Sequence, residues 1–215
     1  SAYYRKEVDS EIHLQKPFEQ MHDITKPYSI ASNESTEDNT YLSYNKVIGT
    51  SLDEKLYLAF QILDYALLSA PGAPITKALL EAGIGKDISG SYDSSTYQPI
   101  FSIEAKNANE EQKAEFVKVI EDTLKAIVEN GMDKKALEAG INYHEFRYRE
   151  ADFGGYPKGL MYGLDILSSW LYDDTKPFCE VQLLEGFEFL KKALEEGYFE
   201  ELIRKYLLDN THGAI

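Results

Sequence analysis

The sequence predicts an α+β fold in which helices pack on one face of an antiparallel sheet. Residues 40–48 have the composition of a strand, and residues 88–105 have that of a hairpin. Beyond the hairpin, apolar residues recur mainly with helical spacing. Because strands and helices are segregated along the chain and do not alternate regularly, the order favours α+β over a parallel α/β sheet.

The chain is expected to contain one domain preceded by a polar segment. Residues 1–38 lack periodicity and end in a cluster of loop-forming residues, Ser32–Asn39. We therefore expect residues 1–38 to be a linker or tail and residues 39–215 to form the domain. A chain of 215 residues is long enough to bury a full hydrophobic core.

The first strand and the first helix have recognisable boundaries. Residues 40–48 are rich in aromatic and β-branched side chains and end at Gly49. Ser51 and Glu54 have the spacing of a capping box, which predicts the start of a helix. The leucine-rich segment that follows predicts a largely buried helix, and Pro71 ends it.

A short helix and the hairpin come next. Pro74 suits the first position of a helix, and Gly83 suits the C-terminal cap. Residues 88–92 and 97–105 are predicted strands, joined by a turn at residues 93–96. In the second of these strands the apolar side chains alternate with polar ones, which implies one covered face formed by Phe101, Ile103 and Ala105.

The second half of the chain is predicted to be helical. Asn109 and Gln112 form a capping box for a long helix that ends at Gly131. A second helix starts at about Asp133, and its apolar face carries Leu137, Ile141, His144 and Tyr148. Pro157 permits a third helix, whose large apolar residues are Leu160, Leu164, Leu167, Trp170 and Leu171. Two further helices are predicted after it.

The charge balance excludes some partners and favours others. Asp and Glu number 37 against 22 Lys and Arg, which gives a formal net charge of -15. This charge repels polyphosphate backbones and anionic membranes and attracts basic partners. We therefore expect no nucleic-acid or membrane partner, whereas basic peptides are compatible partners.

The sequence also predicts a soluble protein. The single cysteine, Cys179, cannot form an internal disulfide, as suits a reducing compartment. No apolar run approaches the ~20 residues that a membrane-spanning helix needs, and residues 1–7 lack the pattern of a signal peptide. We expect a cytoplasmic location in a bacterium, or an organelle matrix in a eukaryote.

No catalytic or cofactor motif is complete. A zinc hydrolase needs two histidines on one helical face and a carboxylate that activates water. His144 and Glu145 begin such a motif, but Tyr148 occupies the position of the second histidine, and the inverted motif H-x-x-E-H does not occur. The glycines of residues 83–87 fit neither a P-loop nor a dinucleotide-binding fingerprint. We therefore expect no catalytic, cofactor-binding or metal-binding residue in this chain.

The densest polar cluster is the candidate site. Arginine side chains can hold a carboxylate or carbonyl group of a peptide, and glycines allow close approach of the backbone. The candidate residues for a substrate-chamber surface or a domain interface are Arg147, Arg149, Glu150, Tyr156 and Lys158. The alternative interpretation is a helix–helix corner held by ion pairs.

Several segments together resemble a known family. They are Asn39–Ser43, Leu63–Leu68, Pro74–Asp87, Glu145–Leu160 and Ser168–Asp173. They resemble the second, non-catalytic domain of presequence proteases, which belong with the pitrilysin and insulysin zinc metallopeptidases. The resemblance covers roughly residues 39–212 and implies the α+β domain of that family.

The resemblance also implies a function for a longer protein that contains this chain, here called the parent. The parent is expected to be a zinc metalloendopeptidase that degrades unfolded peptides inside a chamber, and the negative charge of the chain favours basic ones. Its zinc and catalytic residues would lie in a preceding domain that residues 1–38 connect to this one, so the chain alone is expected to be inactive. Its partners would be the remaining domains of the parent and the peptides.

The sequence is compatible with two other functions. The chain could come from a non-proteolytic scaffold subunit of the same fold, such as the core proteins of respiratory complexes. It could instead be a free-standing acidic module that binds peptides. An inverted zinc motif in the upstream coding sequence would distinguish the enzyme from the scaffold subunit, and an open reading frame that starts near Ser1 would favour the free-standing module.

Overall fold

A four-stranded antiparallel sheet forms the framework of the domain. The computed structural model describes Tyr4 and residues 6–215. The strand order is β2-β3-β1-β4. The strands are β1 (Thr40–Val47), β2 (Asp87–Asp93), β3 (Ile100–Ala108) and β4 (Gly213–Ala214).

Helices account for most of the remaining chain. They are α1 (Glu54–Asp64), α2 (Pro74–Glu81), α3 (Lys113–Asn130), α4 (Lys134–Glu150), α5 (Lys158–Trp170), α6 (Leu184–Ala193) and α7 (Tyr198–Leu202). Both α1 and α7 continue as short π-helical segments, Tyr65–Ser69 and Ile203–Leu208. The predicted α+β class is confirmed.

The core lies between one face of the sheet and the helices. Phe101 and Ile103 of β3 are fully buried, and so is Phe116 of α3. Phe187 of α6 is 1% exposed. Tyr44 of β1 is also buried, and its hydroxyl donates to the carbonyl of Leu207 at 2.9 Å. The prediction that helices cover one face of the sheet is therefore confirmed.

One predicted helix cap is correct and the other is wrong. The capping box of Asn109 and Gln112 forms as expected. Helix α1 instead begins with Asp53, whose carboxylate accepts a hydrogen bond from the amide of Leu56 at 3.0 Å. A tight turn between Thr50 and Asp53 precedes the helix, so Ser51 lies outside it.

The second strand of the hairpin starts later than predicted. Residues 97–99 belong to the connection, and β3 begins at Ile100. Pro99 has no amide hydrogen to contribute to a ladder, but its carbonyl accepts from the amide of Ile48 at 2.8 Å. The carbonyl of Tyr97 likewise accepts from the amide of Ser51 at 3.0 Å. These bonds hold the connection against the end of β1 without extending the sheet.

Part of the N-terminal polar segment lies against the edge of the sheet. The amide of His22 donates to the carbonyl of Gly213 at 3.0 Å, and that of Ile24 donates to the carbonyl of Ile215 at 2.9 Å. His22 also forms a parallel bridge with Ala214. The division of the chain at residues 38 and 39 stays a prediction.

Candidate functional site

The face of the sheet opposite the core is polar. Ser43 and Asn45 of β1 lie beside Glu104 and Ser102 of β3, and Ser89 of β2 lies on the other side of Glu104. These side chains keep contact with solvent. Their neighbours on the opposite face are buried in β1 and β3 and half-buried in β2. We call these five residues the polar sheet face.

Hydrogen bonds order the polar sheet face. The hydroxyl of Ser102 donates to Oδ1 of Asn45 at 2.8 Å. The side-chain nitrogen Nδ2 of the same Asn45 donates to the hydroxyl of Ser43 at 3.0 Å and to the carbonyl of Ala214 at 3.2 Å. A fixed array of hydroxyl and amide groups therefore runs across the sheet beside the carboxylate of Glu104.

Strand β2 forms one edge of the sheet. It pairs with β3 on one side, and no strand in the described part of the chain pairs with its other side. Gly90 approaches the helical layer so closely that a Cβ atom there would lie 2.1 Å from Leu68. Gly90 therefore packs β2 closely against the body, and an edge strand without a partner can in general pair with an added strand.

Arg147 belongs to an aromatic cluster on one side of α4. Its Nη1 donates to the hydroxyl of Tyr143 at 3.2 Å, and its guanidinium lies 5.8 Å from the centre of that ring. Tyr143 in turn stacks on Tyr65 at 5.5 Å. The side chain of Arg147 remains exposed.

Arg149 belongs to a separate ion-pair network. Its Nε and Nη2 both donate to Oε1 of Glu145, at 2.8 and 2.6 Å. Lys191 of α6 contacts Oε2 of the same carboxylate at 2.7 Å. The hydrogen bonds from Lys191 and then from Arg149 hold the pKa of Glu145 below its ordinary value. This network joins α4 to α6, as a helix corner held by ion pairs requires.

The other three candidates lie at or beyond the end of α4. Glu150 is its last residue, and the chain then turns through Ala151 with φ of 47°. Tyr156 is 67% exposed in the following turn, and Lys158 is the exposed first residue of α5. Arg147 and Arg149 thus engage different partners, and a shared role of the five residues at a chamber or interface stays a prediction.

The incomplete zinc motif on α4 has a structural explanation. The hydroxyl of Tyr148 donates to the carbonyl of Val181 at 2.6 Å, so this residue braces α4 against the segment before α6. His144 is half-buried, and its ring packs edge-on against the stacked rings of Tyr65 and Tyr143. Burial, followed by the charge of Arg147, lowers the pKa of His144 to about 4. The imidazole is therefore neutral at physiological pH.

The residues of the described chain do not fit a zinc ion. Over Tyr4 and residues 6–215, no three His, Cys, Asp or Glu side chains lie close enough to share a metal. Catalytic zinc needs three protein ligands and an activated water. No step of zinc chemistry can therefore be assigned to these residues.

Sequence reasoning missed ionisable groups that are removed from water, among them the buried Lys46 and the half-buried Glu180. Lys46 is 2% exposed, and its Nζ donates to the carbonyl of Asn210 at 2.5 Å and contacts Sδ of Met21 at 2.9 Å. Burial lowers the pKa of Lys46 to about 8. Its position in phase with Tyr44 on β1 was the available signal. Burial raises the pKa of Glu180 to about 7, and no periodic pattern marks that residue.

A comparison with known protein families shows to which family this chain belongs. The model of the peptidase M16 inactive domain family matches residues 4–143, which is more than half of the chain. This chain belongs to the peptidase M16 inactive domain family. The match covers residues on both sides of the predicted division at residues 38 and 39.

Relatives of this M16 inactive domain include bacterial and plant proteins. Protein HypA of Clostridium perfringens is 46% identical over 210 residues, which cover 98% of this chain and 22% of that protein. Presequence protease 1, chloroplastic/mitochondrial, of Arabidopsis thaliana is 34% identical over 209 residues, which cover 94% of this chain and 19% of that protein. The chain thus spans about a fifth of the length of these relatives, and its resemblance to the non-catalytic domain of presequence-protease-type metallopeptidases is confirmed.

A solved structure shares the fold. The peptidase M16 inactive domain from Pseudomonas fluorescens superimposes with a TM-score of 0.58 at 14% identity, over 90% of this chain and 41% of that one. Among the described residues of the present domain, no helix has the length and apolar character that crossing a membrane requires.

Proposed function

We propose that this M16 inactive domain forms part of the wall of a substrate chamber in a zinc metalloendopeptidase that degrades unfolded peptides. The zinc and the catalytic residues would belong to another domain of the same parent. In this proposal the domain binds and confines the peptide and carries out no chemistry.

The observation that carries the proposal is the open polar side of the sheet. An unfolded peptide has unpaired backbone N–H and C=O groups, and an accessible strand edge can pair with them. The β2 edge supplies such groups, and the polar sheet face beside it supplies ordered hydroxyl and amide groups. A surface of this kind suits many peptide sequences because main-chain pairing does not depend on side chains.

Charge supports a preference for basic peptides. The formal net charge of the chain is -15, and the carboxylates of Glu104 and Asp87 lie on the polar side of the sheet. Negative potential along a confined surface concentrates cationic ligands and has little effect on neutral ones. We propose that the same surface, together with Arg147, Arg149, Glu150, Tyr156 and Lys158 at the chamber or domain interface, contacts substrate or neighbouring domains.

A charge-neutralising variant tests the chamber assignment. The double variant Glu104→Gln, Asp87→Asn in the parent should lower kcat/KM for a basic peptide by about threefold and leave an acidic peptide of equal length unaffected. The matched control is Glu115→Gln, Glu129→Gln, which removes the same charge from exposed positions on the helical side. Equal losses for both peptides, or the same loss in the control, would contradict a substrate-facing role for the polar sheet face.

The compartment is part of the proposal. We propose the cytoplasm for a bacterial parent and an organelle matrix for a eukaryotic one, in keeping with the chloroplastic/mitochondrial name of the plant relative. We propose no nucleic-acid or membrane partner, on the strength of the net negative charge. Detection of the parent in a membrane pellet after salt washing would contradict this assignment.

A further inference from the structure

Helix α5 presents an apolar stripe to solvent. Four leucines at offsets 0, 4, 7 and 11 lie within about 60° of one another around a helix with 3.6 residues per turn. They are Leu160, Leu164, Leu167 and Leu171, with exposed fractions of 53%, 51%, 41% and 64%. We call these residues the leucine stripe. Single exposed leucines are ordinary on a protein surface, but an aligned row of four is not.

The opposite side of α5 faces the body and mixes polar with apolar side chains. Ser169, which lies opposite the centre of the leucine stripe, is fully buried. Asp165 and Ser168 are half-buried, and the hydroxyl of Ser168 donates to the carbonyl of Asp165 at 2.5 Å. A surface helix normally turns its apolar side to the core and its polar side to water. In α5 the four leucines face water, whereas Met161, Tyr162 and Ile166 are half-buried on the side of the body.

Aromatic contacts at both ends of α5 favour this orientation. Before the helix, Phe153 packs edge-on against Tyr162 at 5.4 Å. After it, Tyr172 stacks on Tyr97 of the β2–β3 connection at 4.3 Å, with the two rings nearly parallel at 6°. Rotation of α5 that turned the leucine stripe inward would break both aromatic contacts.

We propose that the leucine stripe of α5 is the contact surface for an apolar face of another domain of the same parent polypeptide. The proposal rests on the part of the proposed function that makes this chain one domain of a longer protein, and it does not depend on peptidase activity. About four-fifths of the length of the relatives lies outside the region that matches this chain. A parent of similar length would contain ample further polypeptide to cover the leucine stripe.

The chemistry of the stripe selects this occupant. Its members are uncharged, whereas capture of basic peptides by this acidic chain would use carboxylates. Gly163 lies on the flank of the stripe in the middle of α5, and no atom lies within 4 Å of the position that its Cβ would occupy. The missing side chain therefore leaves room for close approach of a packed element on the outer side.

Cysteine protection in the full-length parent tests the proposal directly. Leu164→Cys and Leu167→Cys would be introduced singly after Cys179→Ser and replacement of any other cysteines. The control is Leu80→Cys on α2, where the native side chain is 49% exposed. Maleimide labelling rates would be measured in native buffer at nanomolar protein concentration and again in denaturant.

The expected result is that the native fold slows labelling at residues 164 and 167 by at least about tenfold more than at residue 80. Protection no greater than that of the control would overturn the proposal. Protection that disappears on dilution would assign the stripe to a second copy, and protection that requires added peptide would assign it to substrate. Both of these results would also overturn it. Peptide hydrolysis measured on the same variants keeps the outcome separate from that of the proposed function, because an inactive parent can still protect the stripe.

Discussion

Replacing the buried Lys46 should stabilise the domain at neutral pH. The fall of the Lys46 pKa from 10.5 to about 8 corresponds to about 3 kcal/mol of desolvation, at about 1.4 kcal/mol for each pH unit. The hydrogen bond to Asn210 is lost in Lys46→Met, which offsets about 1 to 2 kcal/mol of that gain. We therefore expect Lys46→Met to raise the free energy of unfolding by about 1 to 2 kcal/mol at pH 7.

The pH dependence of the free energy of unfolding tests the desolvation of Lys46 more sharply than its value at one pH. Between pH 8 and 10.5 the unfolded chain binds more protons at Lys46 than the folded chain does, so wild-type stability rises with pH in this window. The Met variant lacks this contribution. Urea unfolding of both proteins from pH 7 to 9.5 should show the wild type gaining about 2 kcal/mol relative to the variant. A constant difference, or a wild type that loses stability relative to the variant, would refute the assignment of a desolvated lysine.

Three smaller predictions concern helix ends and α4. Asp53→Ala should lower the free energy of unfolding, measured in urea, by about 1 kcal/mol because it removes the N-cap of α1. Ser51→Ala should lower it by less, and the reverse order would support the capping box predicted at Ser51. His144→Phe should lose less stability than the wild type as the pH falls from 6.5 to 4, because in this range His144 is protonated in the unfolded chain but not in the folded one. Equal loss of structure in acid, measured by circular dichroism, would contradict this. Tyr148→Phe should lower thermal stability by about 1 kcal/mol through loss of the bond to Val181, and an unchanged melting temperature would contradict the bracing role.

The sequence predicts those features that depend on local periodicity. The alternation of Phe101, Ile103 and Ala105 identified the buried face of β3 because a strand turns successive side chains to opposite sides. The capping box of Asn109 and Gln112 was predictable because both partners lie within one turn. Such patterns were enough to predict the fold class and most helices.

Features that depend on distant contacts were not predictable in this way. Spacing alone matches a capping motif at Ser51, but the amide of Ser51 donates to the distant carbonyl of Tyr97 and the cap of α1 is Asp53. The hydroxyl of Tyr148 finds its partner 33 residues later in sequence. Docking of His22 on β4 likewise joins the two ends of the chain.

The candidate site shows the same limit. Spacing on α4 grouped Arg147 with Arg149, but residues two apart on a helix point to different sides. One arginine therefore meets Tyr143 and the other meets Glu145. The polar sheet face arises from residues of β1, β2 and β3, and its register follows from strand pairing that the sequence does not specify.

The most direct test of the central claim is hydrolysis of a fluorogenic unfolded peptide by the parent and by this chain alone, each with and without a zinc chelator. The account predicts that the parent cleaves the peptide, that the chelator abolishes cleavage, and that the chain alone is inert under both conditions. Zinc-dependent cleavage by the chain alone, or a zinc-loaded parent that cleaves no unfolded peptide, would contradict it.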